Sequence, residues 1–369
     1  MTVIHGSVGA CDYDVLVGPL EVAGGRLTSL AHGRALPLVT DARVFALHGD
    51  KVGAILPVEP ILVPEVEAAK TWDVLAELLG QLSRLNITRN APILALGGGS
   101  IGDVAGLAAS LFKRGCPIIH LPTTLLAQAD SAIGGKTAID WNGQKNLIGT
   151  FHQPSLVIAD PTFLQTLDAR QLRAGYAEVV KYGLIDDPAF FEWCEANGAA
   201  LLAGDQALRQ SAIEHCVRAK LRFVAEDVED RYGVRALLNL GHSFGHAIET
   251  VSGLGALLHG EAVAVGLCLA FGYSVELGFC SSVDEARVRA HLASVGLPTG
   301  LNEIGLADTG SALLDAIKRD KKAGSEGISL ILARGIGRAE MSRGIDPRRL
   351  AEFLMRAGQD GSAGGSASG

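Results

Sequence analysis

Aromatic residues make up only 5% of this 369-residue chain, and cysteine is sparse and scattered. The six cysteines (Cys11, Cys116, Cys194, Cys216, Cys268 and Cys280) form no CxxC pair. That argues against a thiolate zinc site and a disulfide framework, and favours a reducing, cytoplasmic setting. No stretch is long and apolar enough to span a bilayer, and the first residues lack the basic-then-apolar order of a secretion signal. The expectation is therefore a soluble, unsecreted protein. Positive charge is in deficit as well: 32 Lys+Arg stand against 40 Asp+Glu, a formal net charge of −8. A nucleic acid or an anionic membrane is thus not expected as the main partner. A small anionic substrate stays open, because a local group of lysines can override the global sign. Gly134-Gly135-Lys136-Thr137 falls short of a P-loop, since Asp130 stands where G-x-x-x-x-G-K-T needs glycine. There is no HExxH and no internal repeat.

What the chain has in quantity is apolar side chains, at 48%, and glycine, at 46 residues. The length suits two domains of ordinary size, each with its own core. The first part carries continuous apolar runs at 36–40, 61–63, 92–96 and 117–121, with helical periodicity at 72–84 and 103–112. Runs without alternation are what a parallel sheet covered on both faces demands, and the alternation of elements is βαβ. After about Asp168 helix-period segments dominate, at 170–182, 188–197, 206–227, 242–251, 260–277, 283–295 and 312–319, with a short strand at 328–333. This predicts an α/β nucleotide-binding domain over 1–168 and an α-helical domain over 169–357. A Gly/Ser/Ala-rich tail over 358–369 is expected to be disordered.

Several motifs carry chemistry. Gly97-Gly98-Gly99-Ser100-Ile101-Gly102-Asp103 follows a strand and opens a helix, so its amides would favour a pyrophosphate, although the turn alone could need the glycines. No acid follows at the usual Rossmann distance. Thr123 to Asn146 reads as a glycine-rich loop with two lysines, an acid and an amide, a lining suited to phosphate and hydroxyl groups. His242 and His246 stand at i and i+4, one above the other on a helix face, and His259 precedes Gly260-Glu261. Glu178 and Lys181 share another helical face. Two imidazoles and a carboxylate make a usual catalytic zinc set with a position left open. The Lys318 to Lys322 run could be a solvated helix end or could bring positive charge to a phosphate.

With these residues in place, the chain resembles the 3-dehydroquinate synthase family. The matching blocks are GGGSIGDVAG, LPTTLLAQADSAIGGKT, QKNLIGTFHQP, AGYAEVVKYGLI, RALLNLGHSFGHAIE, HGEAVAVG and RDKK, in the family's order and spread over about residues 36–333. The resemblance implies an N-terminal α/β domain that binds NAD and an all-α, metal-binding C-terminal domain. It places the metal, Zn2+ or Co2+, on Glu178, His242 and His259, and gives His246 a part in proton transfer. NAD contacts fall on Asp41, Glu65, Glu67, Lys70, Gly99, Ser100, Ile101, Gly102, Asp103, Thr123, Thr124, Phe163, Leu164, Gln165 and Thr166. Lys136 and Lys145 fall where cofactor and substrate meet. Substrate polar groups fall to Asp130, Asn146, Lys181, Lys220, Arg235, Asn239 and one of Lys321 and Lys322. Arg114 matches an arginine that the family reaches across a dimer interface, so a homodimer is expected. Three departures stand out: Gln144 before Lys145-Asn146, Ser243 between the histidines, and Pro64-Glu65-Val66-Glu67, a looser form of the family's Asp-Gly-Glu turn.

The activity so implied is conversion of 3-deoxy-D-arabino-heptulosonate 7-phosphate to 3-dehydroquinate and phosphate, in the shikimate pathway. Two other enzymes remain as alternatives: a related cyclase using sedoheptulose 7-phosphate, and a metal-dependent polyol dehydrogenase that accumulates NADH. A catalytically dead binding module would lack a ligand or a lysine, and none is missing.

Overall fold

The structure is a computed structural model that describes residues 1–231, 233–253, 255–321 and 327–359, residues 320 and 321 as backbone alone. It packs as two compact units. One comprises Met1–Gly175 with Gly204–Glu229; the other comprises Tyr176–Ala203 with the described residues from Asp230 onward.

Strands of the first unit are β1 (Thr2–Val8), β2 (Cys11–Val17), β3 (Leu36–Thr40), β4 (Val58–Leu62), β5 (Ile93–Gly97), β6 (Ile118–Pro122), β7 (Lys136–Trp141), β8 (Gln144–Phe151) and β9 (Leu156–Ala159). Seven of them form one sheet in the order β1-β2-β9-β6-β5-β3-β4, and only the β1–β2 pair in it is antiparallel. β3, β5, β6 and β9 are buried along their whole length, as the unbroken apolar runs require. Alternation then sorts the two faces: Ile93 and Ala95 enter one core, Leu94 and Leu96 the other.

Helices α1 (Gly24–Ala31), α2 (Ala42–Gly53), α3 (Trp72–Arg84) and α4 (Gly99–Leu111) link these strands. The helix α3 starts where the Thr71 hydroxyl accepts from Val74 N, and it buries Leu75, Leu78 and Leu82 on one stripe. After β9 come α5 (Ala169–Ile185), α6 (Pro188–Ala203), α7 (Gln206–Glu226), α8 (His242–Ser252), α9 (His259–Glu276), α10 (Ser282–Ser294), α11 (Gly310–Lys321) and α12 (Pro347–Gln359). The second unit is helical apart from one antiparallel hairpin, β10 (Ile328–Ala333) with β11 (Ala339–Ile345). Among the described residues no helix is long and apolar enough to cross a membrane.

The structure adds elements the sequence reading did not name, among them α1, α2, β9, β11 and α12, and differs from it in the following ways. The first strand pair, β1 and β2, went unread: β1 buries only alternate residues, Ile4, Gly6 and Val8, so it carries no continuous apolar run. The segment from Thr123 to Asn146 is not one loop: it holds a π-helical turn over Ala127–Ser131 and continues into the β7–β8 hairpin. Thr137 and Ile139 are the buried alternate residues that hold that hairpin down. Helix α7 packs with the first unit although it follows residue 168. Leu221 fills space left by Gly6 on β1, where a Cβ would come within 2.6 Å of the leucine side chain. Finally, Gly358 and Gln359 do not begin a tail but end α12. Gly358 is buried, and a Cβ there would sit 1.8 Å from Ala307 O. The rest of the expected tail, 360–369, lies outside the described residues.

Candidate active site

Within the second unit α5, α8 and α9 bring three donors together. Two glycines set the approach of α8 to α9. Gly241 takes φ +79 just ahead of α8, in the left-handed region that favours glycine. A Cβ on Gly266 would lie 2.2 Å from Gly241 O and 2.9 Å from Gly245 N. The close approach sets the His242 and His259 rings 5.4 Å apart.

Glu178, on α5, points one carboxylate oxygen at both rings. Its Oε1 lies 3.4 Å from His242 Nε2 and 3.4 Å from His259 Nε2. Metal–donor bonds of about 2.0–2.1 Å at tetrahedral angles put neighbouring donors roughly 3.3–3.4 Å apart. The three residues thus carry the spacing of a zinc-type centre, and their ligand atoms converge within 4.8 Å. The outer nitrogens agree with it. His242 Nδ1 lies 3.2 Å from Leu240 O, and His259 Nδ1 lies 3.2 Å from Glu249 Oε2. Acceptors on Nδ1 hold the proton there and leave both Nε2 lone pairs facing inward.

Charge in the pocket favours a cation. Glu178 is buried, and Lys181 Nζ sits 2.6 Å from its Oε2, yet that oxygen has no aligned hydrogen bond. Burial alone would raise the Glu178 carboxyl, but Lys181 and His242 outweigh it and hold it well below the ordinary carboxylate range. Burial alone would lower His259, whereas its bonds to Glu178 and Glu249 push it up to about 10. Glu178 and Glu249 bring two carboxylates to the donor set, and a cation on the Nε2 atoms would take the place of the proton that His259 otherwise holds between them.

His246 is exposed, one turn along α8, with its ring 5.7 Å from His242 and 6.0 Å from His259. Arg235 is buried and Asn239 half-buried, on the short 3-10 turn Arg235–Asn239 that leads toward α8. Lys321 ends α11 as backbone, and Lys322 lies outside the described residues, so the phosphate expectation placed on that pair does too.

The other expected residues lie in the first unit. Lys220, on α7, donates to Asp130 O at 2.7 Å and to the Asp130 carboxylate. The π turn carries Asp130 on its fourth residue, an irregularity that recurs at functional sites. Lys70, buried, donates to Asp103 Oδ2 at 2.7 Å and to Asn146 Oδ1. Asn146, expected beside the substrate, therefore sits with the residues expected to hold the cofactor. Lys145 lies 3.6 Å from Glu67, and Ser100 Oγ donates to Glu67 Oε2 at 3.3 Å. Glu65 precedes the turn Val66–Ala69, and Lys136 is exposed at the start of β7.

Gly97 to Gly102 make the bend from β5 into α4. A Cβ on Gly99 would meet Ser131 Oγ at 3.0 Å, and one on Gly98 would meet Thr124 Cγ2 at 3.2 Å. Glycine at these positions lets Thr124 and Ser131 pack close against the helix start, with Ile101 buried behind it. Thr123 N donates to Gly97 O, and Thr124 Oγ1 accepts from Ala127 N. Asp41 accepts from Val44 N at 2.8 Å and so caps α2. Phe163 and Leu164 are buried, Phe163 in the sheet's core, whereas Gln165 and Thr166 are exposed. Thr166 Oγ1 bonds His48 Nε2 at 2.9 Å. Arg114, exposed at φ +65, edges an open groove of about 610 Å³ with Arg89, Phe151 and His152. Glu249 is the residue the sequence reading passed over; its one signal is a place three residues after His246 on the same helix face.

Comparison with known proteins agrees with this geometry. Residues 60–174 match the family model described as 3-dehydroquinate synthase N-terminal, and residues 175–323 match its C-terminal counterpart. A 3-dehydroquinate synthase of Rhodospirillum rubrum is 49% identical over 366 residues, covering 96% of this chain and 95% of that protein. The chain belongs to the 3-dehydroquinate synthase family. Among solved structures, 2-epi-5-epi-valiolone synthase ValA from Streptomyces hygroscopicus, with NAD+ and Zn2+ bound, superposes with a TM-score of 0.85. It is 30% identical and covers 96% of this chain and 99% of its own. A 2-deoxy-scyllo-inosose synthase complexed with carbaglucose-6-phosphate, NAD+ and Co2+ gives 0.86 at 25% identity, with 96% and 100% covered. The dehydroquinate synthase relative stands well above these two cyclases in identity. The fold is the one they share.

Proposed function

We propose that the chain is an NAD- and metal-dependent carbon–oxygen lyase that converts 3-deoxy-D-arabino-heptulosonate 7-phosphate to 3-dehydroquinate and phosphate. The observation that carries this reading is Glu178 Oε1 at 3.4 Å from two inward-facing imidazole nitrogens, in a chain of this family. Glu178, His242 and His259 would hold the metal, and the glycine-rich start of α4 with Lys70, Asp103 and Glu67 would hold NAD. NAD held there would supply a hydride acceptor and donor at C5 with no net NADH, and the metal would supply polarisation of the oxygen on that carbon.

The chain's own residues then bind and move protons. His246, exposed beside the donors, takes the hydroxyl proton near neutral pH. Lys181, Arg235, Asn239, Lys220, Asp130 and Lys136 orient the carboxylate, hydroxyls and phosphate. Removal of the proton next to the C5 carbonyl releases phosphate. The ring then opens, and an aldol addition within the same molecule closes the carbocycle. The chain acts as a homodimer in this proposal, with Arg114 of the exposed groove reaching the second copy. Six free thiols suit a reducing cytoplasm.

One assay tests the reading. Phosphate release from the heptulosonate phosphate is followed with and without NAD and chelator, alongside sedoheptulose 7-phosphate. Release that needs both additions, without a rise in NADH absorbance, is expected. Turnover of the sedoheptulose ester instead, or steady NADH production, would overturn it.

A further inference from the structure

The two imidazoles of the metal set are not supported alike. His242 Nδ1 lies 3.2 Å from a neutral carbonyl, Leu240 O, two residues back in its own chain. His259 Nδ1 lies at the same distance from Oε2 of Glu249, a carboxylate that is 7% exposed. Glu249 stands seven residues after His242 and three after His246, so one face of α8 carries both histidines and the acid. His259 opens α9 from a loop, where no helical turn before it steadies its ring. A buried carboxylate is an acceptor only, so its partner nitrogen must be the donor. Glu249 thereby fixes the tautomer, turns Nε2 toward Glu178 and makes that nitrogen a stronger donor to a cation.

We propose that Glu249 is a positioning residue for His259 and sets the strength with which the chain binds its divalent metal. The inference rests on the metal reading above and extends it to a residue outside the ligand set. Glu249, His246 and His259 also converge within 4.8 Å. Exposed His246 and a carboxylate already committed to His259 make that group a support for one metal rather than a second site.

Zn2+ affinity measured by competition with a chromophoric chelator decides the matter, using the full chain as wild type, Glu249→Gln, Glu249→Ala and Glu178→Gln. Visible absorption of the Co2+-loaded proteins and thermal unfolding of the metal-free proteins accompany it. Wild type should bind one Zn2+. Glu249→Gln, nearly the same shape, should bind it about 10- to 100-fold more weakly, with altered Co2+ bands and unchanged metal-free unfolding. Unchanged affinity in Glu249→Gln would overturn the inference while leaving the metal centre intact. So would a second Zn2+ in wild type that this variant loses, because Glu249 would then be a ligand. If wild type binds no Zn2+ at all, the metal reading fails and takes this inference with it. Should Glu249→Ala not fold, the isosteric variant still carries the test.

Discussion

At the scale of single residues, Val66 is the clearest departure from what local chemistry prefers. It holds φ +53 in the turn before Lys70, at the place where the family's Asp-Gly-Glu has glycine. A β-branched residue is strained there because its side chain crowds the following carbonyl. Val66→Gly should raise stability by about 1 kcal/mol, the relief of strain exceeding the added chain entropy of glycine. The urea midpoint checks it, and a fall would show the turn to be tuned to valine.

His246→Ala should lower kcat by roughly 10²–10⁴, the range of a general acid–base group, with bound zinc retained. Loss of zinc in that variant would make His246 a ligand instead. His120 gives a pH signature. Burial, with His152 adding to it, drops its imidazole to about 4. The unfolded chain takes up that proton near 6.5, so the stability is present above pH 6.5 and lost as pH falls toward 4. The loss amounts to roughly 3 kcal/mol. His120→Gln should flatten unfolding free energy between pH 7 and pH 5, and an unchanged slope would assign the acid sensitivity elsewhere.

At the scale of elements, the site depends on how closely α8 approaches α9. Gly266→Ala would place a methyl against Gly241 O. It should cost about 1–3 kcal/mol as overpacking and weaken zinc binding by parting His242 from His259. Normal zinc affinity in a destabilised Gly266→Ala would separate the two effects. Element by element, the sequence was legible where one period ran unbroken: α3 and β10 begin and end where the pattern does. It was illegible at β8, exposed along most of its length, since a strand with no buried face leaves no alternation to read. The π turn over Ala127–Ser131 was hidden for a related reason: one extra residue in a turn changes no composition.

At the scale of the whole molecule, metal binding and folding are linked, because the three ligands come from separate helices and no such site persists in the unfolded chain. Free Zn2+ at roughly a hundred times its Kd should add about 2.7 kcal/mol to the stability of the second unit. Calorimetry with Zn2+ and with chelator checks this, and an unchanged Tm would sink it. Protons compete with metal for imidazole nitrogen, so the Zn2+ dissociation constant, measured by equilibrium dialysis without chelator, should rise from pH 8 to pH 6.

The sequence by itself determined the run of elements, the covered parallel sheet and the kinds of donor available, because each is written in the spacing of neighbouring residues. It put His242 and His246 on one helix face, since four residues is a helical turn. Only the tertiary structure decided that Glu178 faces His242 and His259, that Glu249 stands behind His259, and that α7 packs on the sheet unit with Lys220 against Asp130. Periodicity states which face of an element is buried and is silent on what buries it; the partner is chosen by contacts between residues far apart in the chain.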